Sequence, residues 1–435
     1  MVEREGGDLV SIGGSHGCAR GQGLATKLLP SRAMSGFGRD RLERPVVAGF
    51  GAPPVGRHPG RSPTDLALDA LDEALERSGM DHSAVEGVYS VPEGYARAQA
   101  PIHPQRVAER LGLELRALVE VENGGTSSML AFKAACQDVA LGHLDVAAVI
   151  GAQAERRRFR DGMDCGDLDR VLLLSAMYGS YLGPYGVITA LPCYALAAQR
   201  YLHDHSIAPE LVAELPVLLR RNAAGNPRAE FREPITVEDV LGSRVVAPPI
   251  HKLEAPSWSD GAAAVVVVSA EFARRRKVSG AVVTGWGECH DGSNFIPFGK
   301  DLTRYPWIGE STDQALERAS RRREDLDLAE VYGAFAHAEL MTYEAMGFFA
   351  SGEAAAAVAR GETAPGGQLP INPSGGRLSL GHPPQATPLL MIGELFEQLT
   401  AQAGERQIDG AAVGLVQAEH GMMNGSAVAV LEGFA

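Results

Sequence analysis

Cysteine is scarce and scattered in this chain. Five occur in 435 residues, Cys18, Cys136, Cys165, Cys193 and Cys289, and no two form a Cys-x-x-Cys pair. That spacing argues against a disulfide framework and against a structural zinc site, and makes a reducing cytoplasm the default compartment. Long apolar runs are missing as well, since none reaches the roughly 20 residues that a membrane span needs. An excess of positive charge is missing too. Lys and Arg number 40 against 54 Asp and Glu, a net charge of −14. Nothing general therefore draws the chain to nucleic acid or to an anionic membrane surface. Residues 1–44 lack a persistent apolar period and the 7–15-residue apolar core of a signal peptide. They read as a disordered extension, with Met34 as an alternative start.

What is present is an ordinary globular composition, 45% hydrophobic and 22% charged. The length predicts two or three domain-sized units. Val46–Gly51 reads as a buried strand. Ser62-Pro63 caps a helix that runs to Ser78. Strands follow at Val85–Val91 and Ala117–Val121, with a helix from Pro104 to Leu111 between them. An Ala-rich helix spans Ser127–Leu141, closed by Gly142, and precedes a strand at Val146–Gly151. The alternation predicts α/β layers over a mostly parallel sheet. Residues 155–190 read as a variable loop with a positive cluster, Arg156 to Arg160, either a solvated helix end or a phosphate site. Helices are expected at Thr189–Asp204, Ala208–Ala224, Ser311–Arg323, Ala336–Met346 and Thr387–Gln402. Thr236 and Asp239 suit a capping box. Further strands are expected near 259–268, 282–287, 328–331, 410–417 and 427–431, with an aromatic loop at 290–307.

The run from Asn372 to Thr387, Asn-Pro-Ser-Gly-Gly-Arg-Leu-Ser-Leu-Gly-His-Pro-Pro-Gln-Ala-Thr, organises the rest. Two glycines permit a tight course, and Pro373 and Pro383 fix φ and discourage regular structure. His382 stands on a rigid turn before a helix, which suits general acid–base chemistry. The run resembles the C-terminal signature of the thiolase superfamily, Asn-Pro-x-Gly-Gly followed by Gly-His-Pro. The resemblance covers residues 45–435 and is nearest to the sterol-carrier and lipid-transfer branch. Pro234–Arg244, Ser259–Ala264 and Tyr194–Tyr201 support it. It implies a five-layer α/β/α/β/α sandwich of two similar halves, a homodimer, and an active-site role for His382. The halves would be 45–280, with an inserted loop region at about 155–235, and 281–435.

Three departures from the family pattern follow from the same resemblance. Family members carry a nucleophilic cysteine at the N-terminal end of the central helix. Here that position is Gly125, and Cys136 lies about three turns further on. Ser127 or Ser128 remains as a substitute nucleophile, given a nearby base. Asn or His at the head of an Asn-Glu-Ala-Phe-like motif is replaced by Tyr332. The cysteine of the Cys-x-Gly motif is replaced by His420, and the Gly421–Met422 backbone stands where the family has an oxyanion donor. His337, Asn424 and Ser127 are supporting candidates. No residue pattern implies a metal.

The resemblance then implies an enzyme that acts on a coenzyme A or carrier-bound thioester. No cofactor is covalently bound. Loss of the cysteine with retention of acid–base groups resembles the steroid side-chain aldolases, which cleave a β-hydroxyacyl thioester without an acyl-enzyme. Those aldolases have tyrosine where this chain keeps His382. One rival reading is an acyltransferase with an atypical nucleophile. The other is a non-catalytic acyl-CoA or lipid-binding scaffold. Members of this branch often work with a small zinc-containing OB-fold partner of the DUF35 type.

Overall fold

The computed structural model describes residues 44–92, 103–154, 189–293 and 300–434. The N-terminal extension before Arg44 and the arginine cluster at 156–160 lie outside these residues, as do Phe295 and Phe298.

Among the described residues nine of eleven strands form one sheet, in the order β3-β2-β4-β7-β1-β8-β11-β10-β9, and five of its eight pairings are antiparallel, where the sequence led to a mostly parallel sheet. The nine are β1 (Pro45–Gly51), β2 (Gly87–Ser90), β3 (Ala117–Glu120), β4 (Val146–Gln153), β7 (Gly261–Ser269), β8 (Gly280–His290), β9 (Leu328–Val331), β10 (Val413–His420) and β11 (Gly425–Phe434). The short strands β5 (Val245–Ala247) and β6 (Ile250–His251) pair separately. Strands β1, β4 and β7 are buried along their whole length, and their near-continuous Val and Ala runs suit a sheet covered on both faces.

The sheet repeats itself outward from the β1–β8 junction. On one side β1 pairs antiparallel with β7, β7 with β4, and then β4 and β2 run parallel. On the other side β8 pairs antiparallel with β11, β11 with β10, and then β10 and β9 run parallel. Beyond β2 lies the parallel β3, and beyond β9 a single parallel bridge joins Ala329 to Ile371.

The helices repeat likewise. They are α1 (Pro63–Arg77), α2 (His103–Leu111), α3 (Ser127–Ala140), α4 (Leu191–His205), α5 (Pro209–Ala223), α6 (Val237–Gly242), α7 (Ala270–Arg276), α8 (Pro306–Ala319), α9 (Ala336–Ala345), α10 (Ala354–Ala359), α11 (Gly376–Ser379) and α12 (Thr387–Leu399). Helix α1 lies between β1 and β2 in the chain, and α8 between β8 and β9. Helix α3 leads into β4, and α12 leads into β10.

Burial sorts these elements into five layers. Met129 and Phe132 of α3 and Leu389, Leu395 and Phe396 of α12 share one core with Val149 and Val265 of the first half and Val416 and Leu431 of the second. Leu66 and Leu71 of α1 cover the opposite face of the first half, against Val146 and Val266. Ile308 of α8 and Leu340 of α9 cover the far face of the second half, against Leu415 and Val430. The order is α/β/α/β/α, with α3 and α12 in the middle. Both helices therefore bring their N-terminal loops into the interior.

Local chemistry fixes the helix ends. Ser62 accepts the Asp65 N–H at 3.1 Å while the Asp65 carboxylate accepts the Ser62 N–H at 3.1 Å, a complete capping box. Thr236 and Asp239 do the same for α6. Two boundaries differ from the sequence expectation. Helix α8 begins at Pro306, not Ser311, because proline is suited to the first helical position. Trp307 thus belongs to a helix and not to a loop. Between the prolines of the signature, where irregular chain was expected, α11 folds as a one-turn helix. Among the described residues no helix is long and apolar enough to cross a membrane.

Candidate active site

The loop Asn123-Gly124-Gly125 ahead of α3 is packed from above by the end of β9 and the end of β10. A Cβ built on Gly125 would lie 2.4 Å from the Glu419 carbonyl oxygen and 3.1 Å from the Tyr332 hydroxyl. Only glycine fits at that separation. The phenol of Tyr332 thus occupies the neighbourhood into which a side chain at Gly125 would project. On the adjacent residue, a Cβ on Gly124 would lie 3.0 Å from Nδ1 of His420.

Tyr332 follows β9 directly, and its N–H is held by the Gln417 side-chain oxygen of β10 at 3.2 Å. Its ring stands edge-on to the His382 ring, with centroids 5.8 Å apart and planes at 88°. Arg377 of α11 ties the two together. Its guanidinium carbon lies 3.8 Å from the Tyr332 ring centroid, its Nη1 donates to the Tyr332 carbonyl at 2.9 Å, and its Nε donates to His382 Nδ1 at 3.3 Å. Among the described residues no carboxylate lies within ion-pair distance of this buried cation. Burial raises the Tyr332 phenol above its ordinary range, Arg377 draws it part of the way back, and Glu419 adds to the rise.

The hydrogen bonds assign the two imidazoles opposite roles. Arginine has no acceptor, so the bond from Arg377 leaves His382 Nδ1 unprotonated and places the proton on Nε2. Thr387 Oγ1 lies 3.1 Å from the same Nδ1. Burial, and then Arg377, hold His382 well below the usual histidine range, so the ring is a neutral donor. The loop is clamped from behind. The His382 N–H meets the Ser257 carbonyl at 3.1 Å, the Ser259 N–H donates to the His382 carbonyl at 3.0 Å, and the Trp258 indole stands edge-on at 5.9 Å. His420 reverses the pattern. Its Nδ1 lies 2.8 Å from the Asn123 carbonyl, which can only accept, so Nδ1 is the donor there and proton exchange with a ligand falls to Nε2.

Gly124, Gly125, Tyr332, His382 and His420 therefore converge. Gly421 and Met422 begin the four-residue turn between β10 and β11, next to His420. The other candidates have different positions. Ser127 is buried, accepts the Asn123 N–H at 2.7 Å and donates to the Gly124 carbonyl at 2.6 Å, so it builds the loop. Ser128 is buried and its hydroxyl has no partner among the described residues. Asn424 donates to the Ser293 carbonyl at 2.7 Å and holds the turn. His337 stacks on Phe335 at 6.0 Å, and burial pushes it down to about 3. Cys136 is buried on α3, its thiol driven up by desolvation and unreactive there.

Arg377, Glu419, Glu339 and Tyr194 were not among the site candidates read from the sequence. Arg377 lies inside the signature run, so its position was visible although its burial was not. Glu419 sits beside His420. Burial pushes its carboxyl up to about 7, and its Oε1 is hydrogen-bonded to the Tyr194 hydroxyl. Glu339 is likewise pushed up to about 7 by burial, and it accepts from Tyr343 and from Asn372 Nδ2, the latter at 2.6 Å. No cluster of His, Cys, Asp and Glu suited to a metal occurs among the described residues.

Comparison with known proteins agrees with this fold. Residues 287–433 match the family described as Thiolase C-terminal domain-like. An acetyl-CoA acetyltransferase of Methanothermobacter thermautotrophicus is 30% identical over 81% of this chain and 89% of its own. A steroid side-chain-cleaving aldolase of Thermomonospora curvata is 32% identical over 77% of this chain and 85% of its own. Among solved structures, an Ltp2-ChsH2(DUF35) aldolase superposes with a TM-score of 0.76 at 29% identity, covering 89% of this chain and 97% of that one. With that identity spread over most of both chains, and with the layered fold and the Gly-His-Pro turn in place, the chain belongs to the thiolase superfamily.

Proposed function

We propose that this chain is a thiolase-superfamily enzyme that breaks or makes a C–C bond in a coenzyme A or carrier-bound thioester, by aldol or retro-aldol chemistry and without an acyl-cysteine. The observation that carries this reading is the packing at Gly125. The place of the family nucleophile has no room for a side chain, and a phenol stands against it. An acyl-enzyme needs a nucleophile with an adjacent base. Retro-aldol cleavage needs only a route for the β-hydroxyl proton and a place for the enolate.

The residues supply both. The thioester oxygen, which becomes the enolate oxygen, faces His382 Nε2–H and the backbone N–H of Met422, donors that act without reorganising. The β-hydroxyl proton passes to the Tyr332 oxygen as the phenol hands its own proton to His420 Nε2. The C–C bond breaks, a ketone or aldehyde leaves, and His420 returns the proton to the enolate carbon. The substrate's hydroxyl proton is balanced by the new C–H bond, and the enzyme ends as it began. Arg377, flat over the phenol, steadies negative charge on Tyr332 during the transfer.

Resemblance to the acetyltransferase supports a second reading, acyl transfer. Ser128, with its unpartnered hydroxyl, would be the nucleophile. A homodimer, a DUF35-type partner and a cytoplasmic location belong to the same proposal, the partner on the strength of the aldolase structure just described.

The test is incubation of the protein, alone and with a DUF35-type partner, with β-hydroxyacyl-CoA esters and separately with acetyl-CoA. Mass spectrometry then reads products and protein. A shorter acyl-CoA with a ketone or aldehyde and an unmodified protein is expected. An acyl adduct on Ser128 decides for acyl transfer. Binding without turnover under every condition decides for a scaffold.

A further inference from the structure

The turn that carries Met422 is held by a hydroxyl with one proton and two acceptors. Tyr194 of α4 contacts the Glu419 carboxyl and lies 3.0 Å from the Gly421 carbonyl oxygen. A phenol donates once. With Glu419 ionised, the proton goes to the carboxylate and the Gly421 carbonyl is left without it. With Glu419 neutral, the carboxyl O–H donates to the Tyr194 oxygen, and the phenol donates to Gly421. Only the second arrangement satisfies both contacts.

The turn needs that hold. Gly421 and Met423 both have positive φ, 57° and 55°, and for methionine this backbone is uncommon. Trp307 Nε1 donates to the Met423 carbonyl, and Asp291 N–H donates to the Asn424 carbonyl at 2.9 Å, fixing the far end. The near end, beside His420, has Tyr194 together with the bond from the Asn424 N–H to the His420 carbonyl at 3.1 Å.

We propose that Glu419 and Tyr194 form a proton-linked positioning pair, in which the neutral carboxyl holds the Gly421–Met422 turn in its active geometry and ionisation releases it. This rests on the aldol reading only for its consequence on rate; the structural coupling stands by itself.

The surroundings favour the neutral acid. Glu419 is buried, and its second oxygen has no partner among the described residues. The titratable groups around it come from several elements. They are Tyr194 and Arg377 on α4 and α11, Tyr332 after β9, Glu339 on α9 and Tyr305 ahead of α8. His337 on α9 stands edge-on to Tyr194 with ring centroids 6.4 Å apart. Arg377 is the one positive charge in this set and favours ionisation. Burial opposes it more strongly and pushes the carboxyl up to about 7.

The experiment reads the turn itself. The full-length protein is labelled with methyl-13C methionine and titrated between pH 5.5 and 8.5. The Met422 and Met423 methyl signals are expected to move along a one-proton curve centred near 7. Glu419→Gln, which mimics the neutral acid, is expected to abolish the movement, and Glu339→Gln to leave it. Methyls that stay still in the unchanged protein, or that move equally in Glu419→Gln, overturn the proposal. In the retro-aldol assay kcat/KM is expected to fall about tenfold per pH unit above the midpoint, and this limb is expected to vanish in Glu419→Gln. Tyr194→Phe is expected to lower kcat at least tenfold with little change in KM. If the methyls respond but no retro-aldol turnover is found, the reaction reading fails and the positioning pair stands. If turnover is found and its pH limb survives Glu419→Gln, the pair fails and the reaction stands.

Discussion

Arg377 lies flat over the ring of Tyr332, 3.8 Å from its centroid, while donating to that residue's own carbonyl. One side chain thereby fixes the phenol's position and lowers the cost of charge on it. The same guanidinium sets the tautomer of His382.

Replacing Arg377 by Met keeps the length of the chain and removes both effects. The expected outcome is a fall in kcat of about 10²–10³, comparable to losing an oxyanion donor. Arg377→Lys is expected to recover only a small part, because an ammonium cannot stack on the ring and reach Nδ1 together. Steady-state kinetics with the best thioester from the panel measures both. An activity loss no larger than a few-fold in Arg377→Met would remove this residue from the account.

The two imidazoles are separable by isotope exchange. His382→Ala is expected to slow every step that passes through the enolate. His420→Asn is expected to slow solvent deuterium entry at the α-carbon of the product thioester by about 10²–10⁴, the usual range for a general acid–base group. Mass spectrometry of acyl-CoA held in D2O with the protein reads the exchange directly. Rapid exchange in His420→Asn assigns the proton to another group.

Much of this site was legible in the chain. His382 stands in an ordered signature, Tyr332 heads an Asn-Glu-Ala-Phe-like motif, and His420 takes the place of the cysteine of a Cys-x-Gly motif. The helix starts at Ser62 and Thr236 were legible because caps are local chemistry. Arg377 and Glu419 were not, because neither arginine nor glutamate announces burial. Their partners lie far along the chain. Arg377 meets Tyr332 across 45 residues, and Glu419 meets Tyr194 across 225. The start of α8 was misplaced for a related reason. The aromatic passage 290–307 reads as one loop, yet Pro306 opens a helix within it.

Restoring the family cysteine is expected to fail. In Gly125→Cys the new Cβ would meet the Glu419 carbonyl, a backbone atom that cannot swing aside. Overpacking of this kind costs about 1–3 kcal/mol. The expected result is a lowered Tm, lost retro-aldol activity and no acetyl adduct after exposure to acetyl-CoA. A stable variant that forms an acyl-cysteine contradicts the steric reading of the site.

Stability has a separate anchor. Arg406 is buried and paired with Glu394 at 2.9 Å and Glu397 at 2.7 Å, both on α12. Glu397 also meets Arg77 of α1 at 2.7 Å and Arg228 at 2.9 Å. Removing one partner strands a buried charge. Arg406→Ala is expected to cost about 3–5 kcal/mol. Urea unfolding followed by circular dichroism measures it, and a cost below about 1 kcal/mol would show the network to be dispensable.

The buried acids also set a slope of stability against pH. Glu339 and Glu419 are each pushed up to about 7 from an ordinary value of 4.5. Between those values the folded chain holds protons that the unfolded chain has released. Folding is then favoured at low pH, and this contribution is lost as pH rises through about 7. Exposed acids act oppositely. Asp65 is held low by Ser62 and Asp81 by Ser83, so they stabilise above their unfolded value. The comparison must therefore be differential. Glu339→Gln removes one raised acid and leaves the others. Relative to the unchanged protein, its unfolding free energy is expected to fall less between pH 5 and 8, by on the order of 1–3 kcal/mol. Parallel urea titrations at the two pH values measure the difference. Equal slopes in the two proteins would mean that Glu339 is already ionised at pH 5, with the Arg377 charge outweighing burial.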